Sequence, residues 1–439
     1  MKILIENGAH DCFNAGDLSM LIVCLNRLKT AYPSAELLTV NEAPQKLKVL
    51  YKDCTPTNIL TGRHLWLQDR NMFGGLHKII PFKNQLVDDF EASFRRNNIF
   101  LARKWIKVRN NKRGLNNKPI KNYLKTLKSV HFAVVSGGGL ITDAFEIHAM
   151  KLLETLYQLI QLGKPVALFG LGVGPINSPR LRNLARLVFP HVTLFALREK
   201  RYGPRLLHSL GVSSERIMIS GDDAIEFAAS GRVGVMGNAI GFNIRNAKYA
   251  GVDNTNSSNI TDILTLFAKT QQSSIVPVPI SWHRSENDLQ TVLNLLGQNM
   301  TPQEKEQLET IDGLNHQIAN CRIVVTGSYH AAVFALTHGI PVIALAKSEY
   351  YANKFNGLSN MFLQGLQVIG LDHVDWREKF KLALTRAWES AESQRDSLIL
   401  CADKQIKSSK LAYSQYYKIL KRLASGPKKK QPFKLMNFN

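Results

Sequence analysis

IVVTGSYHAAVFALTHGIPVIALA, residues 323–346, is the stretch that most directly indicates the fold. A short apolar run ends at Gly327, and an apolar stretch with helical spacing follows it. The same alternation recurs in VHFAVVSGGG, PVALFGLGVG and SSIVPVPIS. Short continuous apolar runs between helical stretches are typical of buried parallel strands. The sequence therefore predicts an α/β protein with parallel sheets.

Two Rossmann-like domains are predicted, because a segment rich in small residues, AASGRVGVMGNA, interrupts the alternation and a new strand, IGFNIR, follows it. We expect an N-terminal domain at residues 1–228 and a C-terminal domain at 238–372. The length of 439 residues is sufficient for both. An apolar stripe with helical spacing predicts a helical segment at 373–424, and a basic tail follows at 425–439.

A strong positive charge narrows the range of partners. The 56 Lys and Arg exceed the 34 Asp and Glu by 22, a surplus that favours phosphates, acidic glycans, anionic membranes or nucleic acid. Thirteen of the basic residues lie in an insertion at 81–130, which also carries aromatic side chains. This insertion is interpreted either as a solvated helical face or as a dock for an anionic polymer or a membrane surface.

The five cysteines predict neither disulfides nor a metal site, because they are odd in number, scattered and without a CxxC pair. No HExxH motif or other ligand spacing is present, so we expect no metal and no other cofactor. Free thiols suit a reducing compartment, and the first apolar run does not have the pattern of a signal peptide. We predict a cytoplasmic protein and leave open a peripheral contact with the inner face of a membrane.

Candidate binding residues follow the predicted strands, because open α/β sheets bind ligands at the carboxyl ends of strands. Asn14-Ala15-Gly16-Asp17 comes after the first strand, and Asp17 is a candidate N-cap of the next helix as well as a wall of the site. Gly137-Gly138-Gly139 follows HFAVVS, and successive glycines can bring backbone N–H groups close to an anion. Their spacing matches neither a dinucleotide fingerprint nor a P-loop.

Three further motifs have both structural and functional interpretations. The GxGxG run at residues 170–174 is interpreted as a turn with tight packing. Arg198 ends an apolar run and can bind a carboxylate or a phosphate through two N–H groups, with a surface role as the alternative. Asp222 and Asp223 are adjacent, so we expect them to point in different directions and to serve a turn or a helix cap.

His330 is the most specific candidate, because it follows a strand and begins an apolar helix. At such a position an imidazole faces the cleft between two domains and can transfer a proton near neutral pH. The structural alternative is a buried histidine that is bonded to a backbone carbonyl. A GxSxG nucleophile elbow is absent from the sequence.

Six motifs in order resemble the polysaccharide pyruvyl transferase family: NAGD, VVSGGGLITD, LFGLGVGPI, ALREKRY, IGFNIR and VTGSYHAAVFALTHGIPVIALAKSEYYANKFNGL. The resemblance implies a GT-B-like fold, in which two Rossmann-like domains face each other across a cleft. It also implies transfer of the pyruvyl group of phosphoenolpyruvate to two hydroxyls of a sugar as a cyclic ketal, with release of phosphate. The implied acceptor is a sugar, a glycan or a lipid-linked saccharide.

The resemblance also implies roles for single residues. His330 aligns with the family's proton-transfer histidine, Arg198 with an arginine suited to the carboxylate or phosphate of the donor, and Lys354 with a lysine that offsets phosphate charge. Lys347 is the rival position for that lysine. The sequence departs from the family pattern at Ser328-Tyr329, where an arginine often precedes the histidine, and at Glu199-Lys200, where an aspartate often follows the arginine. The predicted substrate-binding residues are Asn14, Gly16, Asp17, Gly137, Gly138, Gly139, Arg245 and Ser328.

Two other functions are compatible with the residues. A nucleotide-sugar glycosyltransferase of the same fold would use the glycine segments and a cation to hold a diphosphate. A nucleic-acid-binding protein would use the basic insertion and the basic tail. An argument against the nucleic-acid-binding function is that the basic residues lie outside any helix-turn-helix, RNP or zinc motif.

Overall fold

The computed structural model describes residues 1–7, 11–57, 59–68, 72–73, 84–244, 254–283, 286–363 and 365–425. Arg245, the first residues of the 81–130 insertion and the tail from residue 426 onward therefore lie outside the described residues.

A seven-stranded parallel sheet forms the centre of the N-terminal half. Its strands are β1 Lys2–Glu6, β2 Glu36–Val40, β3 Thr55–Thr57, β4 Phe132–Ile141, β5 Val166–Val173, β6 Leu194–Leu197 and β7 Ile217–Ile219. They lie in the order β3-β2-β1-β4-β5-β6-β7. The helices of this half are α1 Ala15–Ala31, α2 Pro44–Leu50, α3 Leu60–Leu67, α4 Asn84–Asn97, α5 Ile99–Lys112, α6 Lys118–Ser129, α7 Glu146–Gln161, α8 Pro179–Val188, α9 Gly203–Ser209 and α10 Ala224–Ala229.

Helices cover both faces of this sheet, which explains why its strands are continuous apolar runs. Successive residues of β4 point to opposite faces, so Phe132 and Val134 join one buried cluster while Ala133 and Val135 join the other. The two glycine-rich segments lie inside strands. β4 continues through the triple glycine to Ile141, and β5 contains Gly170 and Gly172. The turn predicted over residues 170–174 is therefore wrong as far as Val173, and only Gly174 lies beyond the strand. The sheet accommodates these glycines by register shifts in the pairing of β4 with β5 and of β5 with β6.

A five-stranded parallel sheet forms the centre of the C-terminal half. The strands in this half are β8 Ala239–Asn243, β9 Ile275–Pro277, β10 Trp282–His283, β11 Glu286–Asn287, β12 Cys321–Thr326, β13 Val342–Ala346 and β14 Leu366–Gly370. The sheet order is β14-β13-β12-β8-β9, and β10 and β11 form a separate antiparallel pair. The helices are α11 Asn254–Thr270, α12 Asp288–Leu296, α13 Pro302–Leu308, α14 Ile311–Ala319, α15 Tyr329–Thr337, α16 Glu349–Ser359 and α17 Trp376–Ser425.

The two halves also meet through their loops. The backbone N–H of Ala15 donates to the carbonyl of Ile280 at 2.9 Å, and the N–H of Trp282 donates to the carbonyl of Phe13 at 2.8 Å. The segment predicted as a linker runs from the end of α10 to the start of β8. The domain boundaries at residues 228, 238 and 373 stay predictions.

The predicted C-terminal helical segment is one 50-residue helix, α17, which packs against both sheets. Its first part joins the core of the second sheet through Trp376, Phe380 and Leu384. Its last part lies on the first sheet, where the ring of Tyr413 stacks on Phe169 with centroids 3.7 Å apart. The helix therefore connects the two halves. In the part of the chain that the structure describes, no helix is both long and apolar enough to cross a membrane.

Candidate active site

A cavity of about 250 Å³ lies where the carboxyl ends of β4, β5 and β6 face helices α15 and α16 of the other half. This is the edge at which parallel sheets bind ligands. The residues that line the cavity are Gly139, Gly172, Val173, Gly174, Pro175, Ile176, Asn177, Arg182, Arg198, Glu199, Tyr202, Leu206, Tyr329, Tyr350, Asn353 and Lys354.

Arg198 follows β6 directly and is buried, with its guanidinium in the cavity wall. The guanidinium carbon lies 3.9 Å from the centre of the Tyr329 ring, and Nη1 lies 3.4 Å from Oδ2 of Asp222. Burial lowers the pKa of Arg198, but the neighbouring Tyr329 and Asp222 raise it more, and the pKa is raised as a result. Gly172 provides the space for this side chain, since a Cβ at position 172 would lie 2.6 Å from Arg198 Nε.

Asp222 is a site residue that the sequence analysis did not select, because a turn or cap role was its expected function. Its Oδ1 does accept a hydrogen bond from the backbone N–H of Ala224 at the start of α10. Its Oδ2, however, faces Arg198 and lies 3.9 Å from Nε2 of His330. Burial raises the pKa of Asp222 to about 6. Asp223 points away toward Arg27, Ser409 and Tyr413, which confirms that the two carboxylates diverge.

His330 lies in the first turn of α15, and 12% of its side chain is exposed. The imidazole packs on the first turn of α1 from the other half, because a Cβ at Gly16 would lie 2.0 Å from His330 Cγ. The imidazole also lies edge-to-face with the ring of Tyr329, with ring centroids 5.4 Å apart. The segment NAGD, which forms the N-cap and first turn of α1, therefore packs against this histidine through Gly16.

Lys354 extends from α16 into the cavity, where its Nζ lies 4.2 Å from the centre of the Tyr350 ring. A Cβ at Gly139 would lie 3.3 Å from this Nζ and 3.0 Å from Nη2 of Arg198. The two cations therefore lie beside the same point of the backbone. Lys347 precedes α16 and is not among the lining residues, so the geometry favours Lys354 over its rival.

The other predicted binding residues have mainly structural surroundings. Asn14, and not Asp17, caps α1, because Oδ1 of Asn14 accepts from the backbone N–H of Asp17 at 3.1 Å. The expected cap role of Asp17 is therefore wrong. Gly137 adopts a φ of +44° and packs on Met20, whereas Gly139 lines the cavity. Gly138 has a φ of +101° beside Asn7, and Ser328 is buried with its N–H donating to Thr326 Oγ1.

The two departures from the family pattern have defined contacts. The carboxylate of Glu199 accepts hydrogen bonds from the backbone N–H groups of Arg201, Tyr202 and Gly203 at the start of α9. It therefore holds the turn that follows Arg198. Tyr329 supplies the ring that lies under the Arg198 guanidinium.

No three His, Cys, Asp or Glu side chains within the described ranges are grouped so that they could hold a metal ion.

The sequence model of the polysaccharide pyruvyl transferase family matches residues 14–349, which is most of the chain and includes His330, Arg198 and Asp222. The chain belongs to the polysaccharide pyruvyl transferase family. This is a family of transferases, and the assignment agrees with the resemblance of the six motifs. No curated protein sequence matches this pyruvyl transferase family member.

Solved structures establish the fold of this family member. The UDP-GlcNAc 2-epimerase from Neisseria meningitidis, bound to UDP-GlcNAc, is similar with a TM-score of 0.53 and 11% identity over 95% of this chain and 100% of the epimerase. The UDP-GlcNAc 2-epimerase from Methanocaldococcus jannaschii is similar with a TM-score of 0.53 and 11% identity over 95% of this chain and 99% of that one. These similarities confirm the predicted GT-B-like fold.

Proposed function

We propose that this chain transfers the pyruvyl group of phosphoenolpyruvate to two hydroxyls of a sugar, as a cyclic ketal with release of phosphate. The observation that carries this proposal is the convergence of Arg198 and Lys354 beside Gly139. Oδ2 of Asp222 lies 3.4 Å from Arg198 Nη1 and 3.9 Å from His330 Nε2, so this carboxyl links the two side chains. Two fixed cations suit a donor with a carboxylate and a phosphate, because preformed charges stabilise anions without reorganisation.

The reaction needs a proton at one carbon and a leaving group at its neighbour. In the first step C3 receives a proton from the His330 imidazolium, the oxygen of a sugar hydroxyl bonds to C2, and the proton of that hydroxyl passes to the neutral imidazole, which restores the imidazolium. In the second step a second hydroxyl bonds to C2, the C2–O bond to phosphate breaks, and the proton of the second hydroxyl leaves with phosphate. Phosphate departs with the bonding pair, and Arg198 and Lys354 stabilise its charge.

Asp222 is proposed as the positioning residue of this pair. As a carboxylate it stabilises a positive charge on His330 at 3.9 Å and fixes Arg198 at 3.4 Å. The ring of Tyr329 restrains the guanidinium from the other side.

The acceptor is proposed to be a sugar, free or in a glycan or lipid-linked saccharide. We propose that the protein is located in a reducing compartment, since all five cysteines, which lie in the described ranges, are free and buried.

The test is release of phosphate from phosphoenolpyruvate by the purified protein with a panel of hexosides and acylated hexosamines. We expect release that depends on the acceptor, and we expect phosphoenolpyruvate to raise the thermal midpoint. His330→Asn is expected to abolish release while it keeps the fold. A thermal shift with UDP-sugars but none with phosphoenolpyruvate would replace the proposal with glycosyl transfer. Acceptor-dependent release by folded His330→Asn would remove the role of the histidine.

A further inference from the structure

Helix α5 exposes an apolar stripe to solvent although its opposite side is already buried. Ala102, Ile106 and Asn110 face the core, whereas Leu101, Trp105 and Val108 lie on one outward stripe and are each about half exposed. The spacing of i, i+4 and i+7 places the three on one face of the helix. A surface helix of a soluble domain normally carries polar residues on its outward face, so this apolar stripe indicates an interaction surface.

The apolar stripe continues onto α4 through aromatic rings. Phe73 lies 5.5 Å from Trp105, from Phe94 and from Phe90 between ring centroids, and Phe90 is 56% exposed. Trp105 is held in place because its Nε1 donates to the carbonyl of Met72 at 3.1 Å. The stripe is therefore the edge of an ordered cluster. We call Phe90, Leu101, Trp105 and Val108 the exposed apolar stripe.

Around the α5 residues of the stripe the sequence carries only positive charge, whereas Asp88, Asp89 and Glu91 flank Phe90 on α4. From Asn98 to Ser129 the chain has ten Lys or Arg and no Asp or Glu. Lys104 and Lys112 line the same shallow depression as Leu101, Trp105 and Val108. A partner must therefore offer apolar surface and negative charge together.

We propose that the exposed apolar stripe docks on an anionic lipid bilayer. Leucine, valine and tryptophan gain little from the phosphates of a nucleic acid, but they gain from the boundary between headgroups and acyl chains. The lysines and arginines around them are attracted to anionic headgroups. The combination matches a helix that lies in the plane of the membrane interface.

The position of the stripe relates it to the cavity. Asp89 on α4 pairs with Arg180 at 3.1 Å, and both Asn177 and Arg182, on either side of Arg180, line the cavity. A second cavity of about 690 Å³ lies between α3, α4 and α7 and includes Arg180. Docking through α4 and α5 would bring this side of the site near the bilayer.

The experiment is co-sedimentation of the full chain with vesicles. We expect binding to mixed phosphatidylglycerol and phosphatidylcholine vesicles, weaker binding at high salt, and little binding to pure phosphatidylcholine. The triple variant Leu101→Gln, Trp105→Gln, Val108→Gln should bind about tenfold more weakly or worse. Its matched control, Leu382→Gln, Leu400→Gln, Leu411→Gln, alters three exposed leucines of α17 and should bind like the wild type.

A second pair of variants tests the charge and guards against misfolding of the first. Lys104→Gln, Lys107→Gln, Lys112→Gln should weaken binding about tenfold or more, whereas Lys404→Gln, Lys407→Gln, Lys418→Gln removes the same charge from α17 and should not. Thermal unfolding checks each variant. Absence of vesicle binding by the wild type, or equal loss in variants and controls, would overturn the proposal. Tight, salt-sensitive binding of single-stranded RNA that needs these lysines but not the apolar side chains would also overturn it, in favour of nucleic acid.

Discussion

Gly16 and His330 come from different halves of the chain, yet a Cβ at Gly16 would lie 2.0 Å from Cγ of the imidazole. Three ring atoms of His330, Cγ, Nδ1 and Cδ2, lie within 2.6 Å of that Cβ and would have to move for any side chain to fit at position 16. The first turn of α1 therefore sets the position of the proposed proton-transfer residue.

This relationship predicts a large effect from one methyl group. Gly16→Ala should lower turnover about 100-fold, because a displacement near 1 Å has that cost in a positioned site. Overpacking should lower the free energy of unfolding by about 1–3 kcal/mol, although alanine is normally the better residue in a helix. Gly234→Ala is the matched control, since nothing lies within 4 Å of a Cβ there. Wild-type turnover in Gly16→Ala would contradict the arrangement.

The pKa of Asp222, raised to about 6 by burial, predicts a pH dependence. The carboxyl is protonated below this value and ionised above it, and only the ionised form stabilises a positive His330. The rate should therefore rise as the pH passes through about 6. Asp222→Asn should remove this limb of the pH–rate profile and lower turnover about 10–100-fold.

Asp223→Asn is the control for that profile, because Asp223 contacts Arg27, Ser409 and Tyr413 instead of the cavity. It should lower stability and leave the limb near pH 6 in place. A limb that persists in Asp222→Asn would assign it to another group.

Arg198 is expected to act as a bidentate anion ligand. Arg198→Lys keeps the charge but loses the planar fork that lies over Tyr329, so the KM for phosphoenolpyruvate should rise about 10–100-fold with a smaller change in kcat. Steady-state kinetics at saturating acceptor measures this split. Arg201→Lys, on an exposed residue of the same segment, should leave both constants unchanged.

The two candidate lysines can be separated by the same kinetics. Lys354→Ala should raise the KM for phosphoenolpyruvate about tenfold or more, because Lys354 lines the cavity next to Arg198. Lys347→Ala, which removes an equal charge only seven residues away, should change it little. The reverse result would move the site lysine to Lys347.

His338 gives a stability prediction that does not involve the reaction. It is buried, its Nε2 contacts Asn315 Oδ1 at 2.8 Å, and burial lowers its pKa to about 4. Since an unfolded histidine has a pKa near 6.5, the unfolded state binds more protons between about pH 4 and 6.5. His338 therefore contributes stability above that window, and the contribution decreases as the pH falls through it. Asp222, with a raised pKa, has the opposite slope over about pH 4–6.

Comparison of variants isolates the histidine from that opposing slope. The loss of stability of the wild type between pH 6.5 and 4.5 should be larger than that of His338→Gln, as measured by urea unfolding at each pH. His316→Gln, on an exposed histidine, should behave like the wild type. Identical slopes for the wild type and His338→Gln would show that folding does not shift the pKa of His338.

The fold was predictable because it depends on a local pattern. Strands buried on both faces must be continuous apolar runs, and IVVTG and HFAVV have that form. The ends of β4 and β5 were not predictable, because glycines at 137–139 and 170–172 normally indicate loops. Here they remain in the strands, where they leave room for Met20, Arg198 and Lys354. Those close contacts come from distant parts of the chain.

The site was predictable only in part for the same reason. Arg198 directly follows β6 and His330 lies in the first turn of α15, so their approach at this edge of the sheets follows from topology. Lys354 lies in the middle of α16 and reaches the cavity through its side chain. Asp222 also closely follows a strand, β7, but the direction of its side chain decides whether it caps a helix or belongs to the site. Only the distances to Arg198 and His330 resolve this.

Helix α17 has a consequence for the synthesis of the protein. The aromatic face of the first sheet, with Phe132 and Phe169, is covered by Tyr416 and Tyr413, and the hydroxyl of Tyr416 donates to the carbonyl of Ala133, 283 residues away in sequence. During synthesis on the ribosome, the packing of the first sheet therefore cannot be completed until α17 has emerged. Until then it presents an uncovered aromatic surface, so we expect the nascent N-terminal half to depend on chaperones.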